Sequence, residues 1–503
     1  MLIERALKFS KKFDSNIEEK TNSAPQCIIQ TGHQPVFFHP GIWIKNVFLN
    51  KLLKPRFLDK CIGLNIILDN DTCKDLSLFL PILSGSGNLS LKKINFLSPA
   101  PTLGLPFEEY PLPSLELIKR FTENIITIIK PLENKNILNN FINFSQCLEN
   151  SLYYLYGQGP KDSNLGEFLG LARRLFENKI NPAYLELPFS QICNSNEFLS
   201  FFFEIAKKIE LFSGIYNKKL EEYRKLFKIR NRANPSPNLI IKQNLIETPF
   251  WIWKDGDQRR KIYILKEQEQ TFLYNDSYGK ISLIEKDALK SLSLLRTILK
   301  EKKLKIRPKA LLLTLYNRLF ISDLFIHGLG GAKYELVTDE IIREFFKVEP
   351  PHFLVISATL FLDFKPSHSS AGLKIPSLKK KLRDLEFNPE RYVDELSLSK
   401  IEAIRIKELA RRKTRLIKKI NGTLSPFEKR KISEEIKDIN NFIVEKIKPL
   451  KYELNKKMEE EEEKIKQFKV THFREFPYFL FSANTLQNLL NDQFSLSSSD
   501  NRK

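Results

Sequence analysis

Two of the six histidines in this chain, His33 and His39, stand in one short stretch, Thr31-Gly32-His33-Gln34-Pro35, which continues to His39-Pro40-Gly41 and Lys45. These residue types suit the handling of charge. Imidazole titrates near pH ~6.5 and exchanges protons at neutrality. Backbone N–H groups at a helix start favour anions, and Lys45, one helical turn beyond Gly41, can point back at the same loop. The set is expected to meet an oxyanion or a phosphate. The plainer alternative is a tight turn whose histidines cap the following helix.

A second cluster is Asp69-Asn70-Asp71, followed by Thr72, Lys74 and Asp75. Two carboxylates at a strand end can hold Mg²⁺ or a substrate amine, and can equally cap a following helix. The third is His327-Gly328-Leu329-Gly330-Gly331-Ala332-Lys333-Tyr334, with Asp339 beyond it. Glycines at 328, 330 and 331 allow a ligand close to the backbone. The phosphate-loop pattern is not met, since Lys333 is followed by Tyr, and neither is the dinucleotide pattern G-x-G-x-x-G. Arg307 and Arg318, upstream, are candidates for carboxylate or phosphate contacts. Catalytic roles are expected of His33, Gln34, His39, Lys45, His327 and Lys333. Substrate or phosphate binding is expected of Thr31, Gly32, Gly41, Asp69, Asn70, Asp71, Arg307, Gly328, Gly330, Gly331, Tyr334 and Asp339. No metal-ligand spacing appears. Arg259-Arg260 reads as a basic hairpin edge and Trp251 with Trp253 as packing. His352, His368 and His472 read as structural.

The elements that must position these groups follow from the pattern. QCIIQT over 26–31 reads as a short buried strand, Gly32–His39 as loop, Gly41–Leu53 as helix, and IGLNIIL over 62–68 as a second strand. Strand, loop, helix, strand opens a doubly wound sheet, whose ligands bind beyond the carboxyl ends of the strands. Residues 84–113, rich in Gly, Ser and Pro, read as loop. Apolar residues at three-to-four spacing from about 114 to 232 predict a helical insertion. WIW, KDGDQRR and KIYIL predict an antiparallel hairpin near 250–275. A Pro-broken helical stretch then leads to an apolar run ending at His327, and FLVIS over 353–357 reads as another buried strand. The domain plan is 1–113 and 233–394 for the core, 114–232 for the insertion, 395–470 for a helical hairpin, and 471–503 for a tail packing back, with Ser495–Lys503 disordered. In the hairpin, Asn421-Gly422 stops one charged helix. Ser425-Pro426-Phe427-Glu428 starts the next with a capping box. That second helix is expected to run to about Gln467, roughly 60 Å at about 1.5 Å per residue. A helix so charged needs a partner, so an antiparallel coiled coil is predicted.

Composition bounds the reading. The chain has 503 residues, 42% hydrophobic and 28% charged, enough for real cores in several domains. The net charge is +21, yet Lys, Ile, Asn and Leu are abundant throughout. No Lys/Arg run is read as interleaved with aromatics, so nucleic acid is a third choice. Five widely spaced cysteines suggest neither a disulfide framework nor a zinc site, and free thiols fit a reducing cytoplasm. The N-terminus is too charged for a signal peptide, and no apolar run is long enough to span a membrane.

Thr31-Gly32-x-Gln34 with its downstream Gly and Lys, Arg307-Pro308, the Gly328–Tyr334 stretch and Ser357-Ala358-Thr359 together resemble the bacillithiol-biosynthesis cysteine-adding enzymes. The order of features covers most of the chain. The resemblance implies an α/β fold with a Rossmann-like, nucleotidylyltransferase-like core, a helical connecting region and a C-terminal coiled coil. It also implies addition of cysteine to a glucosaminyl-malate. This chain departs at His33, where the family has Gln. It departs again in the spacing to Lys45, and around Ala332-Lys333, where the family has Glu. It is therefore read as a divergent relative of unknown substrate. The expected function is a ligase or nucleotidyl-type transferase acting on a small anionic metabolite, with ATP or another nucleotide and Mg²⁺ left open as cofactor. Its chemistry is expected where Thr31–Lys45 meets His327–Asp339. The alternative is a binding or assembly protein that uses the helical hairpin, and a homodimer through that hairpin fits either reading.

Overall fold

Runs such as CIIQ and CIGLNII carry no polar alternation, as expected of strands covered on both faces. In the computed structural model they form β1 (Cys27–His33) and β2 (Cys61–Ile67), parallel and in register from Cys27↔Cys61 to His33↔Ile67. The structure describes residues 2–21, 25–54, 60–85, 87–97, 104–159, 163–268, 270–283, 288–364, 374–395, 399–422 and 425–496. His368 and 497–503 lie outside the described residues.

Three more strands complete this sheet: β5 (Leu185–Pro188), β11 (Leu324–His327) and β12 (Phe353–Val355), in the order β12-β11-β1-β2-β5 with every pair parallel. The chain leaves β1 through the helix Pro40–Leu52 and adds β2 and then β5 on one side. It later returns to add β11 and β12 on the other. The direction of addition therefore reverses between β1 and β11. Mixed α/β architecture with a parallel five-stranded sheet is thus the fold. β12 is an edge rather than the buried strand expected, with Leu354 and Val355 exposed. The predicted helical insertion holds helices but also supplies β5.

Before β5 come β3 (Ser77–Leu83) and β4 (Leu89–Asn95), a two-stranded ribbon whose second strand falls in the Gly/Ser/Pro-rich stretch 84–113 that read as loop. After it, β6 (Leu245–Lys254), β7 (Arg260–Glu267), β8 (Gln270–Asn275), β9 (Gly279–Leu283) and β10 (Leu304–Pro308) form an antiparallel sheet in the order β10-β6-β7-β8-β9. The Asp-Gly turn signal sits between β6 and β7 as expected. One apolar core runs from Leu64 and Leu187 of the parallel sheet, through Phe198, Phe202 and Phe250, to Ile252 and Ile306 of the antiparallel sheet.

One expectation about cysteine is overturned. Cys27 and Cys61, read as free thiols, face one another across β1 and β2 and are joined as a disulfide, with Cα atoms 4.6 Å apart. Their separation of 34 residues in sequence hides the strand register that brings them together. Cys73, Cys147 and Cys193 are free. No helix among the described residues is long and apolar enough to cross a membrane.

The chain divides into two compact units: Met1–Ile82 with Lys92–Leu362 and Arg474–Lys503, and Leu83–Leu91 with Asp363–Phe473. The second unit is helical. Lys400–Ile420 and Pro426–Lys446 both start with a complete capping box, at Ser399 and Ser425. They pack through Ile406, Leu416, Ile439 and Ile443. Ion pairs Arg412–Glu435 at 2.6 Å and Lys446–Glu402 at 3.0 Å fix their antiparallel register. The predicted continuous helix to Gln467 breaks at Ile447. Pro449 lacks an N–H and fits only the first turn of a helix, so a new one, Lys448–Thr471, starts there. That helix packs through Leu450 and Leu454 on Leu385 of another helix, Ile375–Phe387. The single long hairpin expected is therefore two pairs.

Candidate functional site

β1 and β11 are neighbours, in register at Ile29↔Leu324 and Gln30↔Phe325. The Thr31 hydroxyl donates to the Ile326 carbonyl at 3.1 Å. The two glycine-histidine segments therefore end side by side at the point where the sheet reverses, the place where ligands of open α/β sheets bind. Gly32 is required by packing: a Cβ there would sit 2.8 Å from the Ile66 carbonyl oxygen. Gly41 is required too, since a Cβ would meet the Ala358 carbonyl oxygen at 2.7 Å.

Lys45 is buried and points back as its spacing suggested, donating from Nζ to the Gly32 carbonyl at 2.6 Å. Burial pushes its ammonium down to about 7. His33 is half-buried, packs edge-on to Phe38, and lies 3.0 Å from the Gln34 carbonyl through Nδ1. A carbonyl only accepts, so Nδ1 carries the proton and Nε2 presents a lone pair. Burial, with the Lys45 charge added, pushes His33 down to about 3, so it is neutral at physiological pH. His39 fulfils the plainer reading. It is the N-cap of Pro40–Leu52, its Nδ1 accepting from the Gly41 N–H at 3.1 Å.

At the end of β11 the arrangement differs. Gly328 is the N-cap of the helix Leu329–Ile341. The His327 ring lies over Gly331, where a Cβ would be 2.0 Å from Cε1. It reaches on to Glu335, with Nε2 and Oε1 3.0 Å apart. Gly331 and Glu335 are four residues apart on one helix face, which is why one ring can cover the first and bond the second. Glu335 is buried and also pairs with Arg318, which pairs in turn with Asp339 at 2.7 Å. Burial alone raises the Glu335 carboxyl, but the His327 hydrogen bond and the charges of His327 and Arg318 outweigh it, so it lies below its ordinary value.

At the end of β2, Asp69 accepts from the backbone N–H of Ser190 at 2.9 Å and from its hydroxyl. Burial, with the Glu108 carboxylate adding to it, pushes Asp69 up to about 7. No helix follows Asp71, so the local capping alternative does not apply; Asp69 instead caps the distant turn Phe189–Cys193. Asp71 accepts from the Gln34 amide and pairs with Arg259 at 2.8 Å. Asn70 is buried, and its Oδ1 lacks a partner among the described residues.

No family model matches the chain, and no curated protein matches it. A solved structure from Campylobacter jejuni, described as a "putative arginyl t-RNA synthetase", aligns over 96% of this chain and 97% of that one. The identity is 9% and the TM-score 0.23, too low to assign a fold or a function. The resemblance to the cysteine-adding enzymes therefore rests on the quoted motifs.

The structure brings some expected residues together and separates others. Thr31, Gly32, His33, Gln34, Lys45 and Asp71 form one group, and His327, Gly328, Gly331 and Asp339 another. Continued by two residues, the β1–β11 register sets Gly32 beside His327, so strand alternation sends the His33 and His327 rings to opposite faces. Lys333 is exposed, Tyr334 packs on the core, and Arg307 is occupied by Glu108, at 2.9 and 2.8 Å, rather than free for ligand. The sequence reading missed Glu335 and Arg173, and it read Arg259 only as a basic hairpin edge. Glu335 was legible as the residue one turn past Gly331. Arg173, beside His33, joins Glu177 and Glu186 in a buried network, and a charged pair four apart on the apolar helix Leu165–Glu177 was its signal. Arg259 reaches Asp71 from the β6–β7 turn, which no local pattern reports. The cavity beside His33 is about 10 Å³, room for about one water. A cleft of about 700 Å³ lies at the opposite end of the strands beside Cys61 and Gly63 and holds none of these residues.

Proposed function

We propose that this chain is an enzyme of the ligase or nucleotidyl-transferring type, acting on a small anionic metabolite at the carboxyl ends of β1 and β11, with the parallel sheet as a Rossmann-like core. One observation carries the reading: the sheet reverses where two glycine-histidine segments end side by side. Each histidine has its own electrostatic partner, Lys45 for His33 and Glu335 for His327. A joining reaction needs two reactants, and two differently charged surroundings at the carboxyl ends of neighbouring strands suit one reactant each. The start of Leu329–Ile341 fits a nucleotide phosphate, because Gly328 and Gly330 have open space where a Cβ would stand and the first N–H groups of a helix lack intrahelical partners. Among the described residues no group of three His, Cys, Asp or Glu is arranged to hold a metal ion; Mg²⁺ would arrive with the nucleotide.

The test is a thermal-shift screen against nucleotides with and without Mg²⁺, amino acids, sugar phosphates and thiols, repeated on His33→Ala and Glu335→Gln. A ligand at a hundred times its dissociation constant stabilises by about 2.7 kcal/mol. A shift lost in either variant supports the reading. A stable protein that no ligand shifts overturns it.

The second reading, an assembly protein, draws on the smallness of the cavity beside His33 and on Ile401 and Ile404. These two lie on one turn of Lys400–Ile420 and are 80% and 60% exposed. It expects a homodimer through the helical unit, seen as a doubled mass in sedimentation equilibrium and lost in Ile401→Asp/Ile404→Asp.

A further inference from the structure

The helix Ile209–Leu226 ends in Lys225-Leu226-Phe227-Lys228, followed by Ile229-Arg230-Asn231-Arg232. Leu226 is 72% exposed and Phe227 49%. Two large apolar side chains at a helix end are costly to leave in water unless something covers them. Lys225, Lys228, Arg230 and Arg232 are all exposed around them, and none is in an ion pair among the described residues.

This tip is built, not loose. Arg224, one residue earlier, is buried and holds the loop that follows. Its guanidinium donates to the Arg232 carbonyl at 2.7 Å, to the Asn234 carbonyl at 3.0 Å and to the Ser236 carbonyl. Lys228 takes a left-handed conformation, φ 53°, and Ile229 N–H bonds the Arg224 carbonyl at 2.9 Å, turning the chain back on the helix end. Arg230 and Arg232 are thereby held against the turn that carries Lys225 and Lys228. The acids of the preceding helical turn are already engaged with other cations: Glu221 with Arg224 at 2.9 Å, and Glu222 with Lys219 at 3.1 Å. The tip is thus four unpaired positive charges around a leucine and a phenylalanine.

We infer that this tip docks on an anionic phospholipid surface, with Leu226 and Phe227 entering below the headgroups and the four cations binding them. The apolar pair decides the class of partner. Leu226, the more exposed of the two, cannot stack on a base, and Phe227 already packs one side, tilted by 43°, against Tyr223 with ring centroids 4.6 Å apart. An aliphatic wedge ringed by Lys and Arg matches a lipid interface instead.

Co-sedimentation of the full chain with vesicles of phosphatidylcholine, with and without phosphatidylserine, tests this. Binding is expected only with phosphatidylserine and is expected to weaken as salt rises. Lys225→Ala/Lys228→Ala should lower partitioning about 25-fold, about fivefold for each charge. Leu226→Ser/Phe227→Ser should lower it while leaving the salt dependence in place. Both pairs are exposed, so unchanged thermal midpoints are expected of each. Equal binding to both vesicle types, full binding by either variant, or binding of a single-stranded oligonucleotide in place of vesicles overturns the inference.

Discussion

His33 and His327 close two neighbouring strands of one sheet, yet their surroundings are built on opposite principles. Among the described residues His33 has no carboxylate partner. Burial and a buried lysine hold it neutral, with Nε2 as the free lone pair. His327 is oriented by Glu335, a buried carboxylate that Arg318 also holds, and its Nδ1 is the nitrogen left free. One imidazole is positioned by what is withheld from it, the other by a charge supplied to it. The contrast says that the two ends are not duplicate binding groups. The first offers a fixed neutral acceptor, and the second a ring whose orientation depends on an ion pair beneath it.

The largest expected effect comes from breaking that ion pair. Arg318→Met leaves Glu335 buried with only His327 as a partner and should cost about 3–5 kcal/mol in urea denaturation. His33→Ala removes one hydrogen bond from a half-buried ring and should cost about 1 kcal/mol. Similar costs for the two would erase the distinction between the strand ends.

A smaller effect sharpens it. Gly331→Ala places a Cβ where the His327 ring lies, so the ring must leave Glu335; a loss of about 1–3 kcal/mol is expected. Gly330→Ala meets open space in the same helix and should be neutral or stabilising by up to about 1 kcal/mol. Denaturation midpoints of the two variants compare directly. Equal midpoints would mean that the ring does not depend on Gly331.

Much of the fold was legible because local signals carried it. The apolar runs of β1 and β2, the glycine-proline loop between them and the two capping boxes at Ser399 and Ser425 each act within a few residues. What was not legible depends on register or on distance. The Cys27–Cys61 disulfide needs the β1–β2 pairing, and Asp69 capping a turn at Ser190 needs β5 to lie beside β2. The opposed faces of His33 and His327 follow from a one-residue offset between β1 and β11. In the candidate site, Lys45 was found because helix geometry fixes where it points. The pairing of Arg259 with Asp71 was missed because the antiparallel sheet that carries Arg259 is placed by tertiary packing alone. The break at Ile447 is a different lesson: Pro449 was visible, and its missing N–H was enough to divide the helix.

The pH dependence of stability separates the two ends by window. Lys45 falls from 10.5 to about 7 on folding. Between those values the unfolded chain holds a proton that the folded chain lacks, so its contribution to stability rises with pH from about 7 upward. Asp69 rises from 3.8 to about 7, so between those values the folded chain holds the extra proton and stability falls as pH rises. His33, lowered from 6.5 to about 3, contributes a rise across the acid range that partly offsets Asp69. Glu335, lowered from 4.5, contributes stability that is present above its unfolded value and is lost as pH falls through the depressed one. The groups around His33 therefore give a shallow minimum near neutrality, while Glu335 at the end of β11 contributes in acid. Denaturation across pH should show Lys45→Met flattening the alkaline rise. The orphaned Gly32 carbonyl in that variant lowers the whole curve without changing its slope. Asp69→Asn should expose the rising limb that His33 supplies. A wild-type curve that falls steadily above pH 7 would mean that Lys45 keeps its proton when folded, and that His33 stands beside a full positive charge.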